Sequence, residues 1–598
     1  MTFTPPPVFT TRPTLTGTFG MTASTHWLAT ASAQAILERG GNAFDAAVAG
    51  GFVLHVVEPH LNGPGGDLVG IFATAADPAT PVVLMGQGPA PAGATIEHYR
   101  GLGLELVPGA GGLAAAVPGS VDAWLTLLRD HGTWELGDIL ASAIGYAREG
   151  HPLLAQASAT IGRVAGLFRE HWPSSAELWM PEGRVPAPGT LVRNPAYADV
   201  LQSLVAAGRG IRDEGPVGRI ARIDAALREW RSGRVAQAAA AFLATPHRHS
   251  DGRDHRGVIE ASDFADFEAG YDTPVTIEFR GHNIAKAGAW TQGPALLQTL
   301  RILDGHDEID PSTEAGAHVV LEALKLALAD RDAYYGDGDV PLDVLLSEEY
   351  ATARRAQIGD SASQDWRPGS VPGRSPFRPR LRSAGADAAS GLGEPTIDRS
   401  GRTRGDTCHI DVVDRWGNMI AVTPSGGWLQ SSPTIPDLGF CLGTRLQMMW
   451  LDASSPAALR PGARPRTTLT PTLVLRDGQP VMALGTPGGD QQEQWQVPVL
   501  LRMLVGGYSA QQAIDAPSLH TTALVDSFWP RGWTPAGVFV EDRLGESVIT
   551  GLERRGHSVT RAGDWSLGRV SAVGRDAGTG LVWAAANPRG MQGYAAGR

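Results

Sequence analysis

The chain has 598 residues with 42% hydrophobic and 19% charged side chains, a balance typical of a globular protein, and its length exceeds one ordinary core unless two parts interleave. Its net charge of −12 argues against nucleic-acid binding, which needs a basic surface, and no apolar run reaches the roughly 18 residues that a membrane span requires. Its two cysteines, Cys408 and Cys441, form neither a disulfide framework nor a zinc tetrad.

We expect no secretory signal at the start, because the Thr- and Pro-rich segment 1–7 lacks a basic region and an apolar core. Together with the low cysteine count, this predicts a protein of the reducing cytoplasm.

Two Ala-rich segments predict a pair of helices near the start of the chain. The first, residues 28–37, closes at Gly40 and Gly41, and Asn42 is a candidate cap for the second. A glycine-rich stretch at 58–67 then leads into an apolar strand at 68–72. It lacks the Gly-Lys-Ser/Thr of a phosphate-binding loop, so we predict a tight turn beside a functional site.

Further helices are predicted at residues 136–148 and 317–335 and in a segment that opens at 117–121 and runs through Leu128. Between them, His247, His249, Asp251 and His255 raise the question of a metal site. Turn-forming residues in this stretch disfavour a helix that would align these ligands. We therefore expect exposed loop histidines and no metal.

Residues 367–406 contain Pro, Gly and Arg without periodicity, which predicts a mobile connector. It ends at Thr407, where a buried strand begins.

Residues 407–423 are the most informative stretch. After Thr407, apolar and polar residues alternate, a Trp-Gly-Asn break follows at 416–418, and a second apolar run begins at Met419. This pattern predicts two strands joined by a tight turn. Thr407 can be an ordinary β-branched strand residue. It can also be a nucleophile if the bond before it is cut, because its freed α-amino group then activates its own hydroxyl.

A second hairpin is predicted at residues 473–484, with its turn at Asp477 and Gly478. The glycine-rich segment 485–490 follows, and a helix is predicted to begin near Gln492. A strand, a Gly-Gly turn and a helix start can present backbone N–H groups as an oxyanion hole does.

The stretch after Thr407 resembles the start of the small subunit in the γ-glutamyltransferase family of N-terminal-nucleophile hydrolases. The matching residues are Thr407, His409, Asp414, Gly417, Asn418 and Thr423. Cys408 and Ser425 stand where the family has threonines. The resemblance is also dense at 20–75, 115–150 and 461–495. It implies an α/β (α+β) fold, a four-layer αββα sandwich built from two subunits of one precursor.

The resemblance also implies roles for individual residues. Thr407 would be nucleophile and N-terminal base, released by cleavage between Asp406 and Thr407, and Ser425 would hydrogen-bond its hydroxyl. Gly488 and Gly489 would supply the oxyanion donors. The residues predicted to contact the substrate are Thr467, Thr468, Arg445 and Asp490. For the two threonines, the alternative is that they simply begin a strand.

The implied organisation has three parts: residues 1–366 as the large-subunit portion, 367–406 as a processing segment at its end, and 407–598 as the small catalytic subunit. The two cleaved chains would form a heterodimer, with further oligomerisation left open.

The residues that recognise glutamate in the family are largely replaced. Ile96 follows the Ala-Pro-x-x-Ala-Thr run where the family has an arginine, and Gly427 replaces an asparagine. Arg445 and Met448 replace the glutamine and aspartate that bind the amino end. Apolar side chains do not replace a charge clamp, so the resemblance is closer to oxamate amidohydrolase-like and cephalosporin acylase-like branches.

The sequence therefore predicts an autoprocessed N-terminal-threonine amidohydrolase or acyltransferase that acts on a small, non-glutamyl amide. It predicts no metal, no organic cofactor, no nucleic acid and no membrane partner. One alternative is a true γ-glutamyl (glutathione) hydrolase or transferase. The other is a catalytically idle family member that acts as a binding or structural protein.

Overall fold

The computed structural model describes residues 3–383 and 407–598. Within these ranges, two seven-stranded sheets pack face to face, and helices cover the outer face of each. The predicted four-layer αββα fold is therefore confirmed.

Sheet I contains the strand that follows Thr407, and all of its neighbouring strands are antiparallel. Across the sheet, the strands are β23 (Tyr594–Gly597), β2 (Gly20–Ser24), β13 (Ile410–Asp414), β14 (Met419–Ser425), β3 (Asp67–Ala73), β4 (Val82–Gly86) and β9 (Gly270–Asp272).

Sheet II contains the second predicted hairpin and is also antiparallel throughout. Across the sheet, the strands are β1 (Leu15–Gly17), β22 (Val582–Ala586), β21 (Ser571–Arg575), β16 (Gln479–Gly485), β15 (Thr472–Arg476), β11 (His282–Lys286) and β10 (Val275–Phe279).

Short strands outside the two sheets pair locally. They are β5 (His151–Pro152) with β6 (Leu191–Val192), β7 (His247–Arg248) with β8 (Asp254–His255), β12 (Arg382–Ser383) with β18 (Gly532–Trp533), and β17 (Leu519–Thr521) with β19 (Gly537–Val540) and β20 (Ser558–Arg561).

Both β13 and β14 are wholly buried. Ile410 and Val412 point into the helical layer, whereas Val413 and Ala421 point into the layer between the sheets. Successive strand side chains face opposite ways, so the helical layer covers one face of these strands and sheet II covers the other.

Helices on the outer side of sheet I bury one large apolar cluster. They are α1 (Trp27–Glu38), α2 (Ala43–Val57), α4 (Ser120–His131), α5 (Leu136–Glu149), α8 (Pro195–Ala207), α9 (Pro216–Ser232), α10 (Arg234–Leu243) and α11 (Ala261–Ala265).

Helices on the outer side of sheet II bury a second cluster. They are α12 (Pro294–Asp304), α13 (Glu314–Tyr334), α14 (Leu342–Leu345), α15 (Glu348–Arg355), α16 (Gln492–Leu504) and α17 (Ala510–Asp515). The remaining helices form smaller clusters at the periphery: α3 (Ile96–Gly101), α6 (Ala155–His171), α7 (Pro173–Trp179) and α18 (Glu546–Arg554).

The predicted helices and hairpins are present. Asn42 caps α2, because its side chain accepts hydrogen bonds from the N–H groups of Phe44 and Asp45, each at 2.9 Å. Among the described residues, no helix combines the length and apolarity needed to cross a lipid bilayer.

Part of the predicted connector, residues 367–383, packs against the rest of the protein at a few positions. Val371 and Phe377 are buried, and Tyr334 donates a hydrogen bond to the carbonyl of Gly369 at 2.6 Å. Single apolar side chains without periodicity can anchor a segment to an existing surface. The rest of the predicted connector, residues 384–406, lies outside the described residues.

The expected exposed histidines are corrected. His249 and His255 are buried, and His249 Nε2 accepts a hydrogen bond from the Leu113 N–H at 2.8 Å. His255 Nε2 lies 2.8 Å from an oxygen of Asp251. Segments of the same chain that are distant in sequence, such as that around Leu113, cover this loop. Local composition does not reveal such contacts.

Candidate active site

Thr407 lies just before β13 and forms an antiparallel bridge with Ser425 at the end of β14. Thr407 Oγ1 is 3.1 Å from Ser425 Oγ, and the N–H of Cys408 donates to the carbonyl of Pro424 at 3.0 Å. Both hydroxyl-bearing residues are buried, with exposures of 1% and 0%. Pairing within sheet I therefore fixes the position of the predicted nucleophile.

Cys408, which departs from the family pattern, contacts a buried carboxylate. Its thiol donates to Glu58 Oε2 at 3.0 Å, and Thr25 Oγ1 donates to the same oxygen at 2.6 Å. Gln592 donates to the other oxygen. Burial raises the pKa of Glu58. A threonine hydroxyl at position 408 is also a donor, so the substitution preserves this type of contact.

His409 ties the start of β13 to sheet II. Its Nδ1 lies 2.9 Å from Thr423 Oγ1, and its Nε2 lies 2.7 Å from Asp411 Oδ1. Asp411 Oδ2 accepts from Ser571 Oγ in β21 at 2.7 Å. This buried chain of contacts holds the strand that carries the nucleophile against the opposite sheet.

The Asp-x-x-Gly-Asn match forms the turn after β13. Asp414 Oδ1 accepts from the N–H groups of Trp416, Gly417 and Asn418 at 2.9, 3.0 and 3.0 Å. Its other oxygen accepts from the N–H of Ala43 at 2.9 Å. The carboxylate therefore shapes the hairpin and also joins it to the N-terminus of α2, where an anion is favoured.

Asp67 and Arg445 form a buried ion pair beside the two hydroxyls. Asp67 is the cross-strand partner of Ser425, and Arg445 Nε lies 2.9 and 2.8 Å from its carboxylate oxygens. Burial raises the pKa of Asp67, and Arg445 opposes that shift. The guanidinium also lies over the ring of Trp428, 5.3 Å from its centroid. Among the described residues, Arg445 Nη2 has no hydrogen-bond partner.

The predicted oxyanion turn joins β16 to α16. Gly488 and Gly489 have φ angles of 131° and 52°, in the range that disfavours side chains. A Cβ atom on Gly488 would lie 2.2 Å from the ring of Trp495. The turn therefore requires glycine at position 488, and its backbone N–H groups are candidate oxyanion donors.

Thr467 and Thr468 lie in the extended segment that enters β15. Thr467 bridges Thr291 in parallel fashion, and its N–H donates to the carbonyl of Trp290 at 3.0 Å. A hydrogen bond from its side chain lowers the pKa of Asp67. Within the described ranges, Thr468 Oγ1 has no partner, although the residue is fully buried.

Asp490 follows the glycine turn and is held inside the protein. Ser527 donates its hydroxyl to Oδ1 at 2.6 Å and its N–H to Oδ2 at 2.7 Å, and Arg331 also pairs with Oδ1. Burial alone would raise the pKa of Asp490, but Arg331 and Arg466 hold it below its usual value. These contacts stabilise the turn, and substrate binding by Asp490 stays a prediction.

The structure brings the predicted residues into two linked groups. Thr407, Ser425, Arg445 and Thr467 gather around Asp67. The second group consists of Thr468, Gly488, Gly489 and Asp490. The side chain of Gln292 joins Thr468 to the glycine turn. Asp406, the other half of the predicted cleavage site, lies outside the described residues.

Sequence reasoning missed Asp67 and Glu58. Asp67 follows two glycines at the start of an apolar strand, and a lone acidic residue at that point was a usable signal. Glu58 and Cys408 are 350 positions apart, so nothing local indicated their contact.

One group of potential metal ligands is present among the described residues: His318, Glu322 and His557, with ligand atoms within 4.8 Å of one another. Glu322 already pairs with Lys325 at 2.5 Å and Arg367 at 2.7 Å. Two cations next to the only carboxylate disfavour a metal dication there.

Comparison with known proteins gives a consistent result. The family profile described as Gamma-glutamyltranspeptidase matches residues 29–597. The chain is 30% identical to the glutathione hydrolase-like YwrD proenzyme of Bacillus subtilis over 96% of this chain and 98% of that protein. It is 31% identical to the oxamate amidohydrolase proenzyme of Klebsiella pneumoniae, over 97% and 98% of the two chains.

The solved structure of LmbA2991HD superposes with a TM-score of 0.92 at 52% identity, covering 99% of this chain and 100% of that one. The family match spans both the segment with the helix pair and the segment that begins at Thr407. The chain therefore belongs to the gamma-glutamyltranspeptidase family and is an enzyme of the N-terminal-nucleophile hydrolase class.

Proposed function

We propose that this enzyme cuts itself between Asp406 and Thr407 and then hydrolyses a small amide whose acyl group carries an anionic end and is not glutamyl. The observation that carries this proposal is the buried contact between Thr407 Oγ1 and Ser425 Oγ at the head of β13. This contact fixes the hydroxyl of Thr407 next to the α-amine that the proposed cleavage would release.

The proposed reaction uses the freed Thr407 twice. Its α-amine takes the proton of its hydroxyl, and Oγ1 attacks the amide carbonyl to form a tetrahedral oxyanion. The N–H groups of Gly488 and Gly489 stabilise that charge. The amine leaves with the proton, which gives an acyl ester on Thr407. Water activated by the same amine then releases the acid and restores the enzyme.

The strand order of sheet I supports the proposed division into two chains. The first chain is residues 1–406, with 1–366 as its main portion and 367–406 as the processing segment. The second chain is residues 407–598. Strands β13 and β14 lie between β2 and β3 of the first chain. Hydrogen-bonded ladders join these strands to their neighbours, and both faces of β13 and β14 are buried. The two chains would therefore stay together after cleavage. The proenzyme names of the two curated relatives agree with such processing.

The residues at the positions where the family binds glutamate support a non-glutamyl acyl group. Met448, aligned with the family aspartate that binds the amino end, is fully buried and packs with Trp428 and Phe528. Gly427 has a φ of 64°, and a Cβ there would lie 3.0 Å from the N atom of Gly66. Neither position offers a side-chain carboxylate or amide oxygen to accept from an ammonium group.

An anionic end of the acyl group has candidate partners. Arg445 Nη2 and Thr468 Oγ1 are buried donors that lack partners among the described residues, and buried polar groups of this kind favour a ligand that satisfies them. Because Asp67 already balances the charge of Arg445, we propose a directed hydrogen bond from Arg445 rather than a free cation.

A matched substrate pair tests this proposal. Glutaryl-p-nitroanilide and γ-glutamyl-p-nitroanilide differ only in the α-amino group, and oxamate provides a shorter anionic amide. We expect kcat/KM for the γ-glutamyl compound to be at least about 100-fold below that for the better anionic amide, since each lost charge-assisted contact is worth roughly 1.5–3 kcal/mol. Equal turnover of the matched pair would contradict the non-glutamyl assignment.

The second candidate is a γ-glutamyl hydrolase, because one of the similar proteins is named glutathione hydrolase-like. Release of glutamate from glutathione at a rate above that of both anionic amides would favour it. An unprocessed chain that hydrolyses none of these compounds would favour the idle alternative.

A further inference from the structure

We infer that Gln292 is a positioning residue that holds the Thr467–Thr468 segment and the Gly488–Gly489 turn in a fixed relation. This inference rests on the proposed function, because it assigns to those two segments the substrate and oxyanion contacts. Gln292 lies just before α12 and is fully buried.

The side-chain amide of Gln292 bridges the two segments directly. Its Nε2 donates to the carbonyl of Gly489 at 2.9 Å and to the carbonyl of Thr468 at 3.2 Å. Its backbone N–H donates to the carbonyl of Thr467 at 3.0 Å. The two side-chain partners are 197 and 176 positions away, so one residue joins parts of the chain that have no local reason to meet.

Arg331 fixes the amide in this orientation. It donates from Nη1 to Gln292 Oε1 at 2.8 Å and from Nη2 to the carbonyl of Val525 at 3.0 Å. It also pairs with Asp490, the residue after the glycine turn. A guanidinium can only donate, so Oε1 must face Arg331 and Nε2 must face the two carbonyls.

All polar atoms of the Gln292 side chain are thus engaged, and one amide group contacts two carbonyls at the site. The carbonyl of Gly489 also accepts from the N–H of Gln492 within the turn, so Gln292 supplies the contact that joins this turn to the Thr467–Thr468 segment.

The carbonyl of Gly489 shares one rigid peptide plane with the N–H of Asp490, so the contact with Gln292 anchors the glycine turn directly after the two proposed oxyanion donors. Displacements of about 1 Å at a reacting centre can cost about 100-fold in rate. Gln292 precedes Thr407 in the chain, so the cleaved N-terminal chain would align the oxyanion turn of the other chain.

Two substitutions separate positioning from simple packing. Gln292→Glu keeps the shape and the acceptor for Arg331 but cannot donate to the carbonyls of Thr468 and Gly489. Gln292→Leu removes every polar contact. Gln298→Leu is the matched control, because Gln298 is buried within α12 and contacts Asp330 of α13 and Tyr335 without touching the site.

The experiment measures processing, thermal stability and the kinetics of oxamate and glutaryl-p-nitroanilide hydrolysis. We expect both Gln292 variants to lose kcat by about 10- to 100-fold with KM within about threefold, and Gln298→Leu to keep kcat within about threefold. Wild-type kcat in Gln292→Glu would overturn the inference, because donation to the carbonyls would then be dispensable.

Hydrogen exchange of the peptide covering residues 485–492 tests the same contact without turnover. We expect faster exchange in both Gln292 variants than in Gln298→Leu. Unchanged protection would overturn the inference even if activity fell. If the wild-type protein hydrolyses neither amide, the proposed function fails, and the exchange measurement still decides whether Gln292 holds the turn.

Discussion

Thr407 Oγ1 and Ser425 Oγ lie 3.1 Å apart across an antiparallel bridge, and neither residue is accessible to solvent. Strand pairing, rather than a flexible loop, determines this distance. Ser425 also lies opposite Asp67 in the next strand. The hydroxyl pair and the buried ion pair of Asp67 with Arg445 are therefore neighbours at the same end of these strands.

We expect Ser425→Ala to lower kcat for amide hydrolysis by about 10- to 100-fold, because a hydrogen bond to a reacting group is worth roughly 1.5–3 kcal/mol. Ser425→Thr restores a hydroxyl and should retain most of the activity. Steady-state kinetics normalised to titrated Thr407 check this. Full activity in the alanine variant would exclude a role for Ser425 in orienting the nucleophile.

We expect Gly488→Ala to lower kcat by about 10²- to 10³-fold, the cost of losing an oxyanion donor. The new Cβ would lie 2.2 Å from Trp495 and displace the turn. Gly507→Ala is the control, because Gly507 also has a positive φ of 69° but has open space around it. If kcat fell equally in the two variants, backbone strain alone would explain the loss, and the oxyanion role of Gly488 would be contradicted.

The buried ion pair of Asp67 and Arg445 allows the effect of Arg445 on stability to be measured separately from its effect on substrate binding. Arg445→Met leaves Asp67 buried without its cation, which typically costs about 3–5 kcal/mol. We expect the double variant Asp67→Asn/Arg445→Met to recover much of the lost Tm while keeping KM for glutaryl-p-nitroanilide at least about tenfold above wild type. A double variant with wild-type KM would show that Arg445 does not contact the substrate.

Buried histidines predict a stability that falls in mild acid. Burial lowers the pKa of His55 and His520 from 6.5 to about 3. Between these values the unfolded state binds protons at both histidines and the folded state does not, so the free energy of unfolding decreases as the pH falls. Their contribution is fully present above pH 6.5 and is lost as pH falls toward 3, by roughly 2 kcal/mol each at pH 5.

The measurement is Tm against pH from 7.5 to 5 for wild type, His520→Phe and His98→Gln. We expect a shallower decline in His520→Phe, because the phenyl ring keeps the stacking on Phe539 but does not titrate. His98 is exposed on α3, so its variant should follow wild type. Parallel curves for all three proteins would contradict the assignment.

The sequence predicted features that depend on neighbouring residues. The alternation after Thr407 gave β13 and β14, and Asn42 was identified as a cap because its side chain reaches the N–H groups two and three positions on. The spacing of glycines around position 488 predicted the turn before α16.

Contacts between distant residues were not predictable in this way. Asp67 and Arg445 are 378 positions apart, so the sequence suggested Arg445 as a substrate contact but gave no sign of the carboxylate that pairs with it. Burial of His249 and Phe377 depends on chain segments that cover them. Local composition carries no information about such coverage.

The central claim is that Thr407 becomes an N-terminal nucleophile by cleavage of the bond after Asp406. Intact-mass analysis with N-terminal sequencing, applied to purified wild type and Thr407→Ala after the same incubation, tests it most directly. We predict two chains in wild type, one beginning at Thr407, and a single uncut chain in the alanine variant. A single full-length chain in wild-type protein that hydrolyses amides, or cleavage of the alanine variant at the same bond, would contradict the account.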